Sequence, residues 1–415
     1  MNEPKLRFKN DNGKQFPDWE EKRVADVANR VKVGFVGACE RYYTGKNGIP
    51  LYRTGNLQLG KLIEDDMKYV SKEFHIANKK SQLHKGDILV ARHGSSGNAV
   101  LYNSEKEANC LNIVIIQPNL KTVNPKFMVE SINSPNVVKQ VSRLKNGSTQ
   151  VVLNTKDIEN LDVNIPSLSE QQKIALLFSE LDTLIQSAEK ELEGYRELKQ
   201  GMLQKMFPKK GEKVPEIRFP EFTGDWEQRK FGDVVQIRRG LTYKPSDVQE
   251  TGIRVLRSSN INEDTFVCNN DDVFVNPEAV NIDTVKQNDI LITSANGSSR
   301  LVGKHTLVKE IPDDSAVHGG FMLLGRTKNY DFINASMSSS WYIRFINIYV
   351  TGGNGAIGNL SKSDLDEQLI LVPSDLEQKK IGDYFSNLDN LIALQQKELD
   401  GYKELKKGLL QQMFC

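Results

Sequence analysis

The sequence predicts an α+β fold. Two similar β-rich domains are separated by two long antiparallel helices that form a coiled coil, with pseudo-twofold symmetry between the halves. Three observations carry this reading. Residues 170–207 (EQQKIALLFSELDTLIQSAEKELEGYRELKQGMLQKMF) recur as residues 377–414 (EQKKIGDYFSNLDNLIALQQKELDGYKELKKGLLQQMF), ungapped, with about 23 of 38 positions identical. Shorter landmarks ahead of each copy recur in the same order. Between the landmarks the two halves diverge.

The first globular part opens on Pro4-Lys5-Leu6-Arg7-Phe8 and Trp19-Glu20; the second opens on Pro215-Glu216-Ile217-Arg218-Phe219 and Trp226-Glu227. Val24-Ala25-Asp26-Val27 then matches Phe231-Gly232-Asp233-Val234. Ile49-Pro50-Leu51-Tyr52-Arg53-Thr54-Gly55-Asn56-Leu57 matches Ile253-Arg254-Val255-Leu256-Arg257-Ser258-Ser259-Asn260-Ile261. Gly86-Asp87-Ile88-Leu89-Val90 matches Asn288-Asp289-Ile290-Leu291-Ile292. Apolar runs at 88–90, 113–116, 151–153, 290–292 and 321–324 sit between Gly, Asn, Ser and Asp clusters and read as strands. Residues 125–139 and 334–347 read as short helices.

Each repeated stretch reads as one long helix. Ile174, Phe178, Leu181, Ile185, Ala188, Leu192, Tyr195, Met202 and Met206 recur at spacings of three and four. The second copy keeps that register at Ile381, Phe385, Leu388, Ile392, Leu399, Tyr402, Leu409 and Met413. Such a stripe is a coiled-coil seam. Neither copy has an internal proline, and at 1.5 Å per residue each helix would run about 57 Å. A helix with one apolar stripe needs a partner, and the other copy is the nearest candidate. The polar linker Pro208-Lys209-Lys210-Gly211-Glu212-Lys213-Val214-Pro215 marks the start of the second half. The second helix begins where the compact second domain ends, so it is expected to start near the end of the first helix and run back.

Composition narrows the class. The chain has 415 residues, 38% hydrophobic and 26% charged, as suits a globular protein. No apolar run is long enough to span a bilayer, and the N-terminus lacks the apolar stretch of a signal peptide. Cys39, Cys110, Cys268 and Cys415 show no paired spacing, so reduced thiols and a cytoplasmic location are expected. The net charge of +1, from 55 basic and 54 acidic side chains, neither advertises nucleic-acid binding nor rules out a basic face balanced elsewhere.

Catalytic motifs fail on inspection. Gly55 to Gly60-Lys61 has phosphate-loop spacing, but Leu62 stands where a metal-binding Ser or Thr belongs. Gly303-Lys304 is followed by His305 and fails the same way. The five histidines (His75, His84, His93, His305, His318) show no metal-ligand spacing. Asn124-Pro125 and Asn276-Pro277 continue with Lys126 and Glu278, unlike the Asn-Pro-Pro-Tyr of methyltransferases. The chain reads as non-catalytic, without a metal or cofactor of its own.

Polar loops at matched places are the better candidates. Arg92-His93-Gly94-Ser95-Ser96-Gly97-Asn98 follows a strand, as does Ser294-Ala295-Asn296-Gly297-Ser298-Ser299-Arg300. Lys145-Asn146-Gly147-Ser148-Thr149-Gln150 is paired with Thr351-Gly352-Gly353-Asn354-Gly355. Glycines let a backbone approach phosphate, Ser and Asn bond to phosphate or base edges, and Arg can grip guanine bidentately. Such clusters are also ordinary turns, but recurrence in both halves with changed side chains favours a nucleic-acid contact. Arg53 and Arg257 sit in matching strands; each is either a DNA contact or one side of an ion pair with Asp87 or Asp289. Asn56 and Asn260 carry the same ambiguity. Tyr243 and Lys244 are candidate contacts, although Tyr243, like Tyr42 and Tyr43, could be a core aromatic. On the helices, Gln171, Asp182, Lys190, Glu191, Tyr195, Glu197 and Lys199 are kept or nearly kept in the second copy. They form either a solvated face and seam or two equivalent docking surfaces.

These features together resemble a family. Each helix follows a proline-ended strand and a Glu-Gln pair: Ile165-Pro166 then Glu170-Gln171, and Val372-Pro373 then Glu377-Gln378. Asp182 and Asp389 each sit in Leu-Asp-x-Leu-Ile, and Gly86-Asp87-Ile88-Leu89 becomes Asn288-Asp289-Ile290-Leu291 in the second half. The pattern resembles the specificity subunit of type I restriction–modification enzymes and covers nearly the whole chain. The resemblance implies target-recognition domains at 1–166 and 211–373, with spacer helices at 167–210 and 374–415. Each domain would read one half of a split, asymmetric site in double-stranded DNA, and the helices would set the gap. Two modification subunits, which bind S-adenosylmethionine and methylate adenine, would dock on the chain. Two restriction subunits using ATP and Mg2+ can join them. Two other classes compete with this reading: a stand-alone nuclease and a coiled-coil adaptor without DNA specificity.

Overall fold

The structure is a computed structural model that describes residues 4–58, 60–94, 96–144, 152–350 and 358–414. Its contacts define two compact units. One is Met1–Glu189 with Lys397–Cys415, the other Lys190–Gln396. The long helices are Leu168–Lys205 and Asp375–Met413. The contacts divide within the helices rather than at their ends, because each half-helix packs on its own domain.

In the first unit the central sheet is ordered Ala28–Val33, Ile113–Pro118, Ile88–Ala91, Ala99–Leu101, all antiparallel neighbours. The strand Ile88–Ala91 is buried on both faces, which explains its unbroken apolar run. Ile88, Val90, Val114 and Ile116 face a core shared with Phe127, Ile174, Phe178, Leu410, Met413 and Phe414. Leu89, Ala91, Ile113 and Ile115 face the opposite way, onto Tyr52, Leu57, Val100, Tyr102 and Cys110. A second sheet is ordered Asn109–Leu111, Ile49–Arg53, Lys68–Val70, Tyr43–Thr44, with the first pair parallel.

The second unit repeats this order strand for strand. Its central sheet runs Gln236–Arg239, Met322–Arg326, Ile290–Thr293, His305–Leu307. Its second sheet runs Ala316–His318, Ile253–Leu256, Val273–Val275, Val248–Gln249. One strand pair has no counterpart among the described residues of the first unit: Ala295–Asn296 pairs with Gly358–Asn359.

Two expectations need correcting. Each short helix is a pair: Pro125–Ile132 and Pro135–Leu144 in the first unit, Tyr330–Met337 and Ser340–Tyr349 in the second. Pro135 breaks the first because proline has no N–H and disfavours helix at the residue before it. At the second break Ser338 and Ser339 turn their hydroxyls back onto the carbonyls of Asn334 (3.3 Å) and Ser336 (2.7 Å). The expected strand at 151–153 is not formed at 152–153, and Val151 lies outside the described residues. Leu153 instead gives its N–H to the Arg92 carbonyl, 2.9 Å away.

The Glu-Gln pairs explain how each long helix is seated. Ser167 and Ser374 cap the starts, each accepting an N–H three residues on, from Glu170 and Glu377, at 3.4 Å. The buried Glu170 carboxylate takes Arg7 in two bonds of 3.1 and 2.9 Å. Glu377 takes Arg218 at 2.7 and 2.8 Å and also the Trp226 indole N–H at 3.3 Å. Gln171 and Gln378 each donate to the preceding proline carbonyl at 2.8 Å. The helix is thereby pinned at its first turn to the opening segment of its own half.

Within each unit the two helical segments run antiparallel. In the first, Lys403 meets Glu189 (3.1 Å), Lys406 meets Asp182 (2.7 Å), and Phe414 lies 6.0 Å from Phe178. In the second, Arg196 donates to Gln396 (3.2 Å), Lys199 meets Asp389 (2.8 Å), and Phe207 lies 5.9 Å from Phe385. Trp19, Phe127, Phe178 and Phe414 form one aromatic cluster, and Trp226, Phe332, Phe385 and Phe207 form its repeat.

Candidate nucleic-acid interface

The loops singled out in the sequence leave the central sheet at its Ile88–Ala91 and Ile290–Thr293 strands. In the first unit, Ala91 donates to the Asn98 carbonyl (3.0 Å) and Gly97 donates back to Ala91 (2.9 Å), closing the loop at its base. Gly97 has φ +95° and a Cβ there would stand 2.9 Å from Val141, so glycine is required. Arg92 ties the loop sideways: its Nε donates to the Leu153 carbonyl at 3.0 Å, and its own carbonyl accepts the Ser96 hydroxyl at 3.2 Å. His93 is exposed, while Arg92, Ser96 and Asn98 are half-buried. The turn after Arg53 is joined to the same region, because the Thr54 hydroxyl donates to the Asn112 carbonyl at 3.2 Å.

In the second unit the base is closed in the same way, Thr293 donating to the Lys304 carbonyl (2.9 Å) and Gly303 to Thr293 (2.8 Å), but around a longer loop. Ser294 and Ala295 both donate to the Phe321 carbonyl (2.9 and 3.1 Å), and Leu360 donates to Ser294 (2.7 Å). The Asn296 amide donates to the Ser258 hydroxyl at 3.0 Å, and its oxygen accepts the Ser298 N–H at 2.9 Å. Ser294 is buried and Asn296 half-buried, whereas Ser298, Ser299 and Arg300 are exposed. Tyr243 packs at the edge of a cluster of Leu241, Val255, Val275 and Val317, and Lys244 is exposed. The loop 294–300, the turn 257–260 and the segment 319–321 are thus brought together.

Asn56 and Asn260 do not belong to an exposed surface. They are 2% and 0% exposed. Asn56 accepts the Arg53 N–H (2.9 Å) and donates to the carbonyls of Ile63 (3.0 Å) and Asp65 (3.2 Å). Asn260 accepts the Arg257 N–H (2.8 Å) and donates to the Val267 carbonyl (2.9 Å) and Asp272 (2.8 Å). Both hold a turn, because a buried amide has to be satisfied inside the protein. The arginines beside them also differ from the expected pairing. Arg53 bonds to the carbonyl (2.6 Å) and carboxylate (2.9 Å) of Asp66, not to Asp87. Lys68 and Arg53 hold the Asp66 carboxyl at about 2. Arg257 donates to the Asp271 carbonyl at 3.2 Å, while Asp289 is taken by Arg326 at 2.7 and 2.6 Å. Ser95, Lys145, Asn146, Ser148, Gln150 and Asn354 lie outside the described residues.

The helices sort their shared residues into two groups. Gln171 is buried, and Asp182 and Lys199 join the two helical segments, as above. Lys190, Glu191 and Glu197 face outward, and Tyr195 is half-buried. Sequence reasoning passed over four leucines that are exposed in both copies, Leu184 with Leu391 and Leu198 with Leu405. It also passed over Gly194, Gly201, Gly401 and Gly408, where no atom lies within 4 Å of the place a Cβ would take. Their identity in the two copies, off the seam, was the available signal.

Among the described residues no group of three or more His, Cys, Asp or Glu could hold a metal ion, and no helix is long and apolar enough to cross a membrane.

Comparison with known proteins identifies the family. A specificity subunit of Methanocaldococcus jannaschii described as putative type I restriction enzyme MjaX is 25% identical over 412 residues, spanning 95% of this chain and 92% of its own. The MjaVIII specificity subunit of the same organism is 24% identical, spanning 97% and 94%. Among solved structures, the type I restriction-modification S subunit from M. genitalium superposes with a TM-score of 0.66 at 17% identity, covering 100% of this chain and 99% of that one. The pattern of the type I restriction modification DNA specificity domain matches twice, at residues 17–194 and 223–402, one match to each half of the repeat. The chain therefore belongs to the type I restriction–modification specificity subunits.

Proposed function

We propose that each unit reads one half of a split, asymmetric DNA site in the major groove, and that the helices set the gap between the half-sites. The carrying observation is that one scaffold is built twice, strand for strand, with the same bonds closing the base of each loop, while the loops that start at Arg92 and Ser294 differ in sequence and length. Identical loops would suit a palindrome; different ones suit two different half-sites. His93, Arg92, Ser96, Asn98, Ser298, Ser299, Arg300, Asn296, Tyr243 and Lys244 remain the candidate contacts, together with the loop residues outside the described set. Asn56 and Asn260 are set aside as turn-holding residues.

Two modification subunits dock on the helices in this reading. In the second unit Gly194, Leu198 and Gly201 share one helix face, with Leu391 exposed on the other segment; in the first unit Gly401, Leu405 and Gly408 repeat it with Leu184. A glycine inside a helix costs about 1 kcal/mol relative to alanine, and none of the described residues packs there to offset it. A close-packing partner element does so, and two equivalent faces support two copies. S-adenosylmethionine, ATP and Mg2+ belong to the partner subunits, and methylation and cleavage with them.

The test is single-molecule sequencing of adenine methylation in cells with and without this chain. The expected result is a split, asymmetric motif that vanishes in the strain lacking it. Replacing residues 217–372 by another second domain changes one half only, and an insertion at 188–192 changes only the gap. No difference between strains with an active modification partner would favour an adaptor. DNA cleavage by the purified chain alone would favour a nuclease.

A further inference from the structure

The second unit carries an aromatic side chain that the fold does not use. Between its parallel strand and its central strand the chain reads Gly319-Gly320-Phe321, where the first unit has Leu111-Asn112. The registers show one inserted residue. Leu111 pairs with Arg53 and Ile113 with Ala91; Gly319 donates to Leu256 and Met322 pairs with Thr293. Phe321 is 71% exposed, more than any other large apolar side chain among the described residues.

Single exposed apolar residues are ordinary on protein surfaces. This one sits on a braced backbone. Its carbonyl accepts the N–H groups of Ser294 (2.9 Å) and Ala295 (3.1 Å), and Met322 donates to Gly319 (2.8 Å) to close the turn. A Cβ on Gly319 would stand 3.2 Å from Val255, and one on Gly320 3.3 Å from both the Leu241 carbonyl and the Thr242 hydroxyl. The two glycines let the turn settle against its neighbours, and the next side chain points away from the core. The loop bonded to its carbonyl carries Asn296, Ser298, Ser299 and Arg300, all able to bond to base edges or phosphates. An apolar group among such residues has one match on the major-groove edge of DNA. That match is the C5 methyl of thymine.

We propose that Phe321 is a specificity-determining residue that reads a thymine in the half-site of the second unit through its C5 methyl group. The inference rests on the DNA-reading function proposed above and adds a base identity to one of its two halves. The first unit, with Asn112 at the matching turn, makes no such contact.

The experiment uses the full-length chain in its assembled complex and a duplex carrying the methylated motif. Each thymine of the second half-site is replaced singly by deoxyuridine, which lacks only the methyl group, and competition binding is measured. At one position the wild-type complex loses about fourfold in affinity, the worth of one buried methyl group. Phe321→Ala loses about tenfold on the thymine duplex and no longer distinguishes thymine from uracil there. Phe321→Leu keeps part of the discrimination. Thymines of the first half-site respond equally in all three proteins. The proposal is overturned by a second half-site without thymine, or by wild-type affinity in Phe321→Ala. An unchanged thymine-to-uracil ratio in that variant also overturns it, and would make Phe321 a wedge between base pairs or a contact to another subunit. Absence of sequence-selective binding by the wild-type complex would instead strike the proposed function itself, and this inference with it.

Discussion

In the first unit a small hairpin, Leu57–Gln58 paired with Lys61–Leu62, reaches the long helix through Lys61, which meets Glu189 at 2.7 Å. In the second unit the hairpin Ile261–Asn262 with Thr265–Phe266 instead carries Asp264, which meets Lys199, the counterpart of Lys406, at 3.2 Å. The short helix that packs on the same segment differs as well. The first unit brings Lys126 and Glu130 to Asp182 and Lys406; the second brings Asp331 and Ala335 to the matching places. What stays constant is the interhelical pair itself, Lys406 with Asp182 and Lys199 with Asp389. The helices and the Arg–Glu anchors define the scaffold. The domains vary around them, each carrying charges suited to its own helical half. A domain moved to the other end would keep Asp264 opposite a lysine but would set Lys61 against Gln396 in place of Glu189, so exchange should work better between equivalent ends of related chains than between the two ends of this one.

The anchors give the largest expected effect. Glu170→Ala leaves Arg7 without its buried partner, and Glu377→Ala does the same to Arg218. Breaking a buried, doubly bonded pair costs about 3–5 kcal/mol. The second unit should lose more, because Glu377 also holds the Trp226 indole, whereas among the described residues the Trp19 indole has no partner at the matching place. Hydrogen exchange resolved by unit checks this. Equal loss in the two units would mean that the tryptophan bond adds nothing.

The cations between the helical segments come next. Lys199→Ala leaves Asp389 and Asp264 facing each other with Asp331 nearby, whose carboxyl burial already pushes up. Lys406→Ala leaves Lys126 in place to neutralise Glu130 and Asp182. The expected losses are about 2 kcal/mol in the second unit and about 1 kcal/mol in the first. A thermal or denaturant titration of the two variants that reverses this order would break the comparison.

How much of this was legible in the sequence follows from what each residue type can reveal. The duplicated helices and double-sided strands were readable because their signals are periodic and local. The Arg–Glu anchors were not readable as anchors. Arg7 and Glu170 appeared only as repeated landmarks, and nothing local says that segments so far apart in sequence meet. The loops at 92–98 and 294–300 were placed correctly at matching strand ends. Asn56 and Asn260 stayed ambiguous because an asparagine that holds a turn and one that reads a base share the same sequence neighbourhood. In the sequence Arg53 stands between a DNA contact and an ion pair with Asp87; it bonds to Asp66, which sits in the following turn at φ +48°. Phe321 went unremarked because it looked like the first residue of an apolar strand, and only the register shows it to be outside.

The smallest expected effect at neutral pH is carried by the one position where the two second sheets differ most in chemistry. His318 is buried where the first unit has Cys110. Burial drives the His318 pKa down to about 4, with its Nε2 placed to donate to the Arg238 carbonyl at 3.3 Å and the Arg238 charge opposing a second proton. An unfolded histidine titrates near 6.5. Between about pH 6.5 and pH 4 the unfolded chain therefore binds a proton that the folded chain refuses, and stability falls as the pH falls through that window. The loss should reach about 1–2 kcal/mol at pH 5 and be negligible above pH 7. At the matching place Cys110 does not titrate in this range, because burial pushes its thiol up. Acidification should therefore loosen the second unit ahead of the first, as read by hydrogen exchange at pH 7 and pH 5. His318→Gln keeps a donor for the Arg238 carbonyl but removes the titration, so it should flatten the second unit's response. If the variant and the wild type lose protection in parallel between those pH values, the carboxylates, not His318, set the acid sensitivity of that unit.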